Sequence, residues 1–360
     1  MFWEKEGKLI YSYDGETVCI EAWGKDALRV RATKNRSFTG RDWALEAKDA
    51  HAGEVEIFED PSAKGGAFAN MYEGTDTSYG KITNGKLHAV IDSGSVITFY
   101  HEDGRVLLKE HFRRLRDEES MPLNIMGREY SNGVGDNFRI VTRFVARKGE
   151  KIFGMGQYQQ HELDLKGCML ELAQRNSQVS VPFYLSSIGY GFLWNNPGVG
   201  QVMFANNGTE WVTESGKEID YLVIAGDTPA EIEENYMTLT GKPPMMPEYG
   251  MGFWQCKLRY WNQEQLLSVA RKYKELGVPL DVIVVDFFHW TKQGEFKFDP
   301  KYWPDVPGMC RELKEMGIQV VVSVWPTVDI YSENFEEMKE KGYLVRTEHG
   351  VPLTMLCGGN

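Results

Sequence analysis

Asp286 and the aromatic residues behind it are the side chains of this chain best suited to bind a ligand. They follow residues 282–285, a Val-Ile-Val-Val run that predicts a short strand buried on both faces. An acid at the carboxyl end of such a strand lies where α/β barrels and open α/β sheets bind their ligands. Phe287, Phe288 and Trp290 come next, and aromatic rings stack well on the apolar faces of a sugar. The pattern favours a sugar-like ligand, although Asp286 could instead only cap the next turn or pair with a nearby lysine.

Strand-like and helix-like segments alternate after residue 243, and these elements must position Asp286. The predicted strands are 250–255, 282–285 and 318–324, and the predicted helices are 262–276, 307–316 and 332–342, with Asn262 and Ser332 as N-caps. Alternation of this kind builds a parallel sheet through crossover helices. Because a complete (β/α)8 TIM barrel needs about 250 residues, residues 242–360 predict a partial barrel with about its first three βα units.

Residues 1–241 predict an N-terminal β-sandwich domain. Hairpin-type turn signals recur there at short spacing, at Asp14-Gly15, Asn84-Gly85, Ser93-Gly94 and Asp103-Gly104. The segment 154–156, Gly-Met-Gly, lacks the third glycine and the βαβ setting of a dinucleotide site, so we interpret it as a turn. The first clear helix opens at Thr228, with Pro229 at its first position. The proline-rich stretch 243–247 marks the domain boundary.

Charge and cysteine content disfavour several classes of partner. The formal net charge of -12, without a block of like charges, argues against nucleic acid and anionic membranes. No apolar run approaches the length of a membrane span. The five cysteines lie far apart with no CxxC pair, so we expect neither a metal site nor a disulfide framework, and no cofactor. Sparse cysteines and a charged N-terminus favour a cytoplasmic protein.

Four segments taken together resemble glycoside hydrolase family 31, the retaining α-glucosidase and α-xylosidase family. They are GMGFWQ at 250–255, VIVVDFFHW at 282–290, FDP at 298–300 with YWPD at 302–305, and SVWPTVD at 323–329. The resemblance covers roughly residues 151–360. It implies the same layout that the patterns predict, a β-sandwich that leads into a catalytic (β/α)8 barrel.

The resemblance also implies a role for Asp286. In this family the acid that ends the second barrel strand binds hydroxyl groups of the sugar in the −1 subsite. The other substrate-binding residues that we expect are Phe287, Phe288, Trp290, Trp325 and Arg175. Arg175 belongs to a polar run, 174–178, which would reach the pocket from the sandwich domain or could simply be a solvated loop.

No catalytic residue is assigned within this chain. The family's nucleophile is an Asp at the end of the fourth barrel strand and its acid/base is a later Asp, and both would lie beyond Asn360. Retaining hydrolysis needs two carboxyl groups about 5–5.5 Å apart. We therefore expect the chain to be the N-terminal portion of an enzyme and to be inactive alone.

The residues that follow Asp286 also suggest which sugar the site binds. Phe287 and Phe288 should face C5 of the bound sugar, where glucose carries a CH2OH group and xylose only hydrogen, so we expect an α-xylosidase. The alternatives are an α-glucosidase of the same family and a non-catalytic carbohydrate-binding or scaffold protein. A metal-assisted barrel that uses Asp286 and His289 is disfavoured because zinc sites need three or four ligands. The expected partner is an oligosaccharide or glycoside substrate, and a homo-oligomer is left open.

Overall fold

The computed structural model describes residues 1–46, 49–61, 76–111, 113–115, 123–347 and 350–354. The chain folds as two compact units, an N-terminal unit, Met1–Pro243, and a C-terminal unit, Pro244–Asn360. In the described part of the chain, no helix has both the length and the apolar character needed to cross a membrane.

The N-terminal unit is built almost entirely from β-strands. In chain order these are β1 (Phe2–Lys5), β2 (Lys8–Tyr13), β3 (Glu16–Trp23), β4 (Ala27–Thr33), β5 (Ala50–His51), β6 (Glu54–Phe58), β7 (Tyr79–Asn84), β8 (Leu87–Asp92), β9 (Ile97–His101), β10 (Val106–Lys109), β11 (Arg113–Leu115), β12 (Leu123–Ile125), β13 (Arg128–Asn132), β14 (Phe138–Phe144), β15 (Ile152–Gln157), β16 (Met169–Leu172), β17 (Val179–Ser186), β18 (Tyr190–Trp194), β19 (Gly200–Ala205), β20 (Gly208–Gly216) and β21 (Ile219–Ala225).

These strands form a long sheet in the order β1-β2-β3-β4-β21-β18-β17-β15, with β5 on β3. Two further sheets have the orders β10-β9-β8-β7-β6 and β13-β14-β20-β19-β16, and β11 pairs with β12. Among the described residues every one of these pairings is antiparallel, as the recurring hairpin signals predict.

One apolar core joins the long sheet to the two further sheets. It contains buried side chains from β4, such as Val30, together with Ile82 and Ala89 of β7 and β8 and Phe204 and Trp211 of β19 and β20. The alternation of inward apolar residues along these strands therefore closes a sandwich, because each sheet can bury one face only against another layer.

Helix α1 (Pro229–Thr240) covers the other face of the long sheet. It begins where the sequence predicts: the Thr228 side chain accepts the N–H of Glu231 at 3.2 Å. Ile232 and Leu239 are buried in a second apolar cluster, and the Tyr236 ring stacks on Phe183 with centroids 3.8 Å apart.

The segment 154–156 is not the turn that its two glycines suggested. It lies within β15, where the register against β17 shifts between Gly154 and Gly156. The φ angles of Gly154, Met155 and Gly156 are 112°, 70° and 90°. A β-bulge of this kind adds one residue to β15 while the strand stays paired with β17. Glycine adopts the positive φ angles that the bulge requires at low energetic cost.

The C-terminal unit alternates short strands and helices. Its elements are a 3-10 helix (Glu248–Met251), β22 (Trp254–Cys256), α2 (Gln263–Glu275), β23 (Val282–Val285), α3 (Val306–Glu315), β24 (Gln319–Val322) and α4 (Phe335–Glu340). Strand β23 pairs in parallel with both β22 and β24. Buried residues of the helices, among them Leu266 and Leu313, pack with Ile283 and Val285 of the central strand in one core.

Of the two N-caps predicted in this unit, Asn262 caps its helix and Ser332 does not. The Asn262 side chain accepts the N–H of Gln265 at 2.9 Å, so α2 begins as predicted. Ser332 was expected to cap the last helix, but its hydroxyl accepts only the N–H of Asn334, and α4 begins at Phe335. The first predicted strand, 250–255, is also wrong in part, because the strand begins at Trp254, after the 3-10 helix.

Candidate functional site

Asp286 lies directly after the central parallel strand. Val282, Ile283 and Val285 are buried, whereas the Asp286 side chain is partly exposed. Its Oδ1 accepts the N–H of Phe287 at 2.7 Å, which is the local turn contact that the alternative interpretation expected. Within the described residues Asp286 has no ion pair with a lysine. From the residues that the structure describes, Oδ2 receives only a weak donor, and so can accept a stronger hydrogen bond from a ligand.

The weak donor is the thiol of Cys256, whose Sγ lies 3.8 Å from Oδ2 of Asp286. Cys256 ends β22 and pairs in parallel with Val284, so both side chains lie at the carboxyl edge of the sheet. Burial, and then the charge of Asp286, raise the pKa of the Cys256 thiol. Cys256 was not among the residues predicted for the site, although the rule that strand ends meet at one edge applies to β22 as well.

Aromatic side chains from two neighbouring strand ends lie beside Asp286. The Phe287 ring stacks on Trp325, which follows β24, with centroids 5.3 Å apart and planes 21° apart. Phe287 also contacts Phe288, with centroids 4.1 Å apart, and Phe288 lies 6.1 Å from Trp290. The structure thus brings together all of the expected site residues of the C-terminal unit.

Trp290 differs from the other aromatic residues because it is largely buried. Only 9% of it is exposed, whereas Phe287, Phe288 and Trp325 are half-buried. Its ring contacts His289, with centroids 4.8 Å apart, and both residues line a small pocket that also includes Trp325. The rings of Phe287, Phe288 and Trp325 therefore offer a ligand more surface than Trp290 does.

Arg259 is a second neighbour that the sequence analysis did not single out. Its guanidinium lies 5.0 Å from the ring centroid of Phe288 and 4.0 Å from that of Trp261. It also donates to the Phe288 carbonyl at 3.4 Å. Phe288 has a φ of 64°, an unusual angle for a bulky side chain, and these contacts help to hold it there.

His289 supports the turn after β23. Its Nδ1 lies 3.1 Å from the Asp286 carbonyl oxygen, and the side chain is buried. Burial lowers the pKa of His289, and the hydrogen bond to Asp286 opposes that shift only in part. A neutral imidazole that donates from Nδ1 to the carbonyl fits both observations. Within the described residues no group of three or more His, Cys, Asp or Glu side chains could hold a metal ion.

Arg175 lies in the N-terminal unit, between β16 and β17. Its guanidinium donates to both carboxylate oxygens of Glu171, at 2.8 and 2.5 Å, and the pair is exposed. Arg175 also forms an isolated β-bridge with Gln178. The polar run is thus a tight turn at the surface of its own unit.

Comparison with known proteins gives the family. Residues 17–202 match the glycosyl hydrolase 31 N-terminal galactose mutarotase-like domain, and residues 243–356 match the glycosyl hydrolases family 31 TIM-barrel domain. The chain belongs to glycoside hydrolase family 31. The matches confirm the predicted family and a sandwich domain followed by part of a TIM barrel. They also extend to residues before 151, where the sequence analysis found no resemblance.

Three known proteins illustrate what the chain is similar to. An uncharacterized family 31 glucosidase, ORF2, of Pseudescherichia vulneris is 42% identical over 368 residues, which cover 99% of this chain and 66% of the relative. An α-xylosidase of Saccharolobus solfataricus is 36% identical over 219 residues, which cover 58% of this chain and 30% of the relative. A crystal structure of a family 31 α-xylosidase from a soil metagenome, complexed with xylose, has a TM-score of 0.87 and 46% identity, and the match covers 100% of this chain and 52% of that one. Where nearly the whole chain is matched, it spans 66% of the Pseudescherichia vulneris relative and 52% of the metagenome α-xylosidase.

Proposed function

We propose that this chain is part of a retaining α-glycosidase that hydrolyses terminal α-linked xylose. The observation that carries the proposal is the Asp286 carboxylate at the end of β23, with Oδ2 directed toward only a weak thiol donor and a stacked aromatic pair beside it. A carboxylate that accepts from sugar hydroxyls, next to an apolar ring surface, is the combination that a pyranose needs.

In this proposal each site residue has a distinct role. Asp286 accepts hydrogen bonds from two hydroxyls of the sugar, and Phe287, Phe288 and Trp325 contact its apolar faces. Trp290 contributes its edge from a more buried position. Arg175 is proposed to contact the substrate from the N-terminal unit, which requires its exposed, solvent-screened ion pair with Glu171 to open.

Xylose is proposed over glucose because of Phe287 and Phe288. The two rings lie 4.1 Å apart directly after the acid, and the contact of Phe287 with Trp325 limits its movement. A CH2OH group on C5 would meet aromatic carbon and find no hydrogen-bond partner, which costs roughly 1–3 kcal/mol for a buried hydroxyl. Two relatives named α-xylosidase, one of them complexed with xylose, support this choice.

An α-glucosidase is the second candidate. It is favoured by the relative at 42% identity, which is named a family 31 glucosidase. In that case one phenylalanine would turn away from the bound sugar and leave room for the CH2OH group.

We further propose that strands β22, β23 and β24 are the first three strands of the (β/α)8 barrel, with residues 242–360 as its first part and 1–241 as the sandwich domain. The two reacting carboxylates would then come from later strands. Retaining hydrolysis needs both of them about 5–5.5 Å apart. The 360-residue chain by itself should accordingly bind sugars weakly and not turn them over.

The test is a hydrolysis assay with 4-nitrophenyl α-xyloside. We expect turnover by a longer protein that carries this chain and the following barrel strands, and none by the 360-residue chain. A longer protein that binds xylosides without hydrolysing them would favour the non-catalytic binding or scaffold alternative. Turnover by the 360-residue chain, abolished by Asp286→Asn, would show that the nucleophile lies within it.

A further inference from the structure

The N-terminal unit has a cleft that the proposed glycosidase site does not use. Its volume is about 800 Å³, and it is lined by the loop 35–43 after β4 and by segments 136–137, 195–198 and 215–220. A neighbouring cavity of about 680 Å³ shares Trp43 and residues 195–198 with it. Both volumes lie within the range of cavities that bind small molecules, and a shared wall makes room for an extended ligand.

The floor of this cleft is rigidly held by buried polar contacts. Asp220 accepts from the guanidinium of Arg29 at 2.9 and 2.6 Å and from Nδ2 of Asn195 at 2.9 Å. Glu218 accepts both the backbone N–H and the hydroxyl of Thr39 at 2.8 Å. Asp220, Asn195 and Glu218 are all at least nine-tenths buried. The loop 35–43 is therefore fixed to the sheet before any ligand arrives.

Several side chains of the cleft are still free to bind a ligand. In the part of the chain that the structure describes, the guanidinium of Arg36, the amide of Asn137 and the hydroxyl of Ser215 have no hydrogen-bond partner. The guanidinium of Arg41 lies over the ring of Trp43, with its Cζ 5.3 Å from the ring centroid. These groups supply donors and acceptors of the kind that hydroxyl groups need.

Trp43 is the aromatic surface of the cleft. It is 45% exposed, and its φ of 53° is unusual for a bulky residue. Trp43 is a large apolar side chain that is exposed, lies on a strained backbone and stabilises no core. Ligand binding explains such a residue more readily than folding does. Its position on the wall between the two cavities would let ligand units lie on both sides of the ring.

The charges of the cleft decide the class of ligand. Arg36, Arg41 and Lys217 are balanced by Asp136, Glu218 and Asp220, and Lys217 already pairs with Asp136 at 2.7 Å. A cleft that selects phosphate or another anion would show an excess of cations. A balanced set of charges, free amide and hydroxyl groups and an exposed indole suit a neutral polyhydroxylated molecule instead.

We propose that this cleft is a non-catalytic binding site for neutral oligosaccharides. The inference goes beyond the proposed hydrolysis, because the residues that line the cleft include neither Asp286 nor any other proposed contact of the hydrolysed sugar. It assigns the N-terminal unit a substrate-holding role of its own, with Trp43 as the stacking platform and Asn137 and Arg36 as polar contacts.

The test is isothermal titration calorimetry on the 360-residue chain that carries Asp286→Asn, which keeps the C-terminal site from contributing. The probes are maltoheptaose and a xyloglucan heptasaccharide. We expect at least one of them to bind, Trp43→Ala to weaken binding roughly tenfold, the scale of one lost stacking contact, and Asn137→Ala to weaken it less. Trp3→Ala is the matched control, because Trp3 is an exposed tryptophan, 38% accessible, on β1 of the same unit.

Three results would overturn the proposal. One is the absence of binding by either oligosaccharide at millimolar concentration. Another is binding that Trp43→Ala and Asn137→Ala leave unchanged while both variants keep the wild-type circular dichroism spectrum. The third is displacement of the oligosaccharide by inorganic phosphate, which would assign the cleft to anions. None of these results depends on whether a longer protein hydrolyses xylosides.

Discussion

Phe287 stacks on Trp325 across the carboxyl ends of two neighbouring parallel strands, with ring centroids 5.3 Å apart and planes 21° apart. Each ring thereby limits the movement of the other, and both remain only partly buried next to the Asp286 carboxylate. The pair is therefore a preformed wall for a ligand rather than a part of the core.

The first prediction concerns Asp286 in a longer, active protein. Asp286→Asn should lower kcat/KM for 4-nitrophenyl α-xyloside roughly 10- to 100-fold, since a hydrogen bond to a charged group contributes about 1.5–3 kcal/mol. The loss grows if the bond tightens in the transition state. Steady-state kinetics measure it, and a change under about threefold would place Asp286 outside the sugar site.

Asp305→Asn is the matched control for that prediction. Asp305 is the N-cap of α3, and its Oδ1 accepts the N–H of Gly308 at 2.8 Å. Asparagine caps a helix about as well as aspartate. The same chemical change there should leave kcat/KM close to the wild-type value.

The second prediction uses the contact between Cys256 and Asp286 and needs only the 360-residue chain. Since the Asp286 charge adds to the effect of burial on the Cys256 thiol, Asp286→Asn should lower the pKa of that thiol. Alkylation by iodoacetamide should then reach half its maximal rate at a lower pH in the variant. Peptide mass spectrometry measures the rate at Cys256, with the exposed Cys310 as internal reference. Identical pH profiles would show that the two side chains do not face each other in solution.

The third prediction concerns pH and His289. Because the folded-state pKa of His289 lies below its usual value of 6.5, the folded protein binds fewer protons than the unfolded chain in this range. The neutral imidazole thus contributes stability above pH 6.5 that is lost as the pH falls toward the lowered pKa. The thermal midpoint of the wild type should drop more than that of His289→Gln between pH 7 and pH 5. Equal drops would mean that His289 titrates as it does in the unfolded chain.

The sequence predicts the elements that local chemistry determines. Val282–Val285 is a buried parallel strand, and Thr228 and Asn262 cap their helices, because an apolar run and a cap residue act over a few positions. The bulge at Gly154 could not be distinguished from a turn, since both need glycine at positive φ and only the pairing with β17 separates them.

In the candidate site, too, contacts between residues close in the sequence were predictable, whereas contacts between distant residues were not. Asp286 and the aromatic residues after it are adjacent in the sequence, so their proximity was predictable. Cys256 and Arg259 reach them from the end of β22, across more than 25 residues, and no local pattern marks that approach. The cleft around Trp43 depends on four separate segments of the chain and was not predictable from local sequence patterns.

The most direct test of the central claim is the ratio of kcat/KM for 4-nitrophenyl α-xyloside to that for 4-nitrophenyl α-glucoside, measured on a longer, active protein. If Phe287 and Phe288 exclude the CH2OH group, the xyloside should be favoured roughly 5- to 100-fold, the effect of leaving a buried hydroxyl without a partner. Phe287→Ala should reduce that ratio, whereas Phe335→Ala on α4 should not change it. A glucoside that is hydrolysed as well as the xyloside or better would contradict the account and make α-glucosidase the function to pursue.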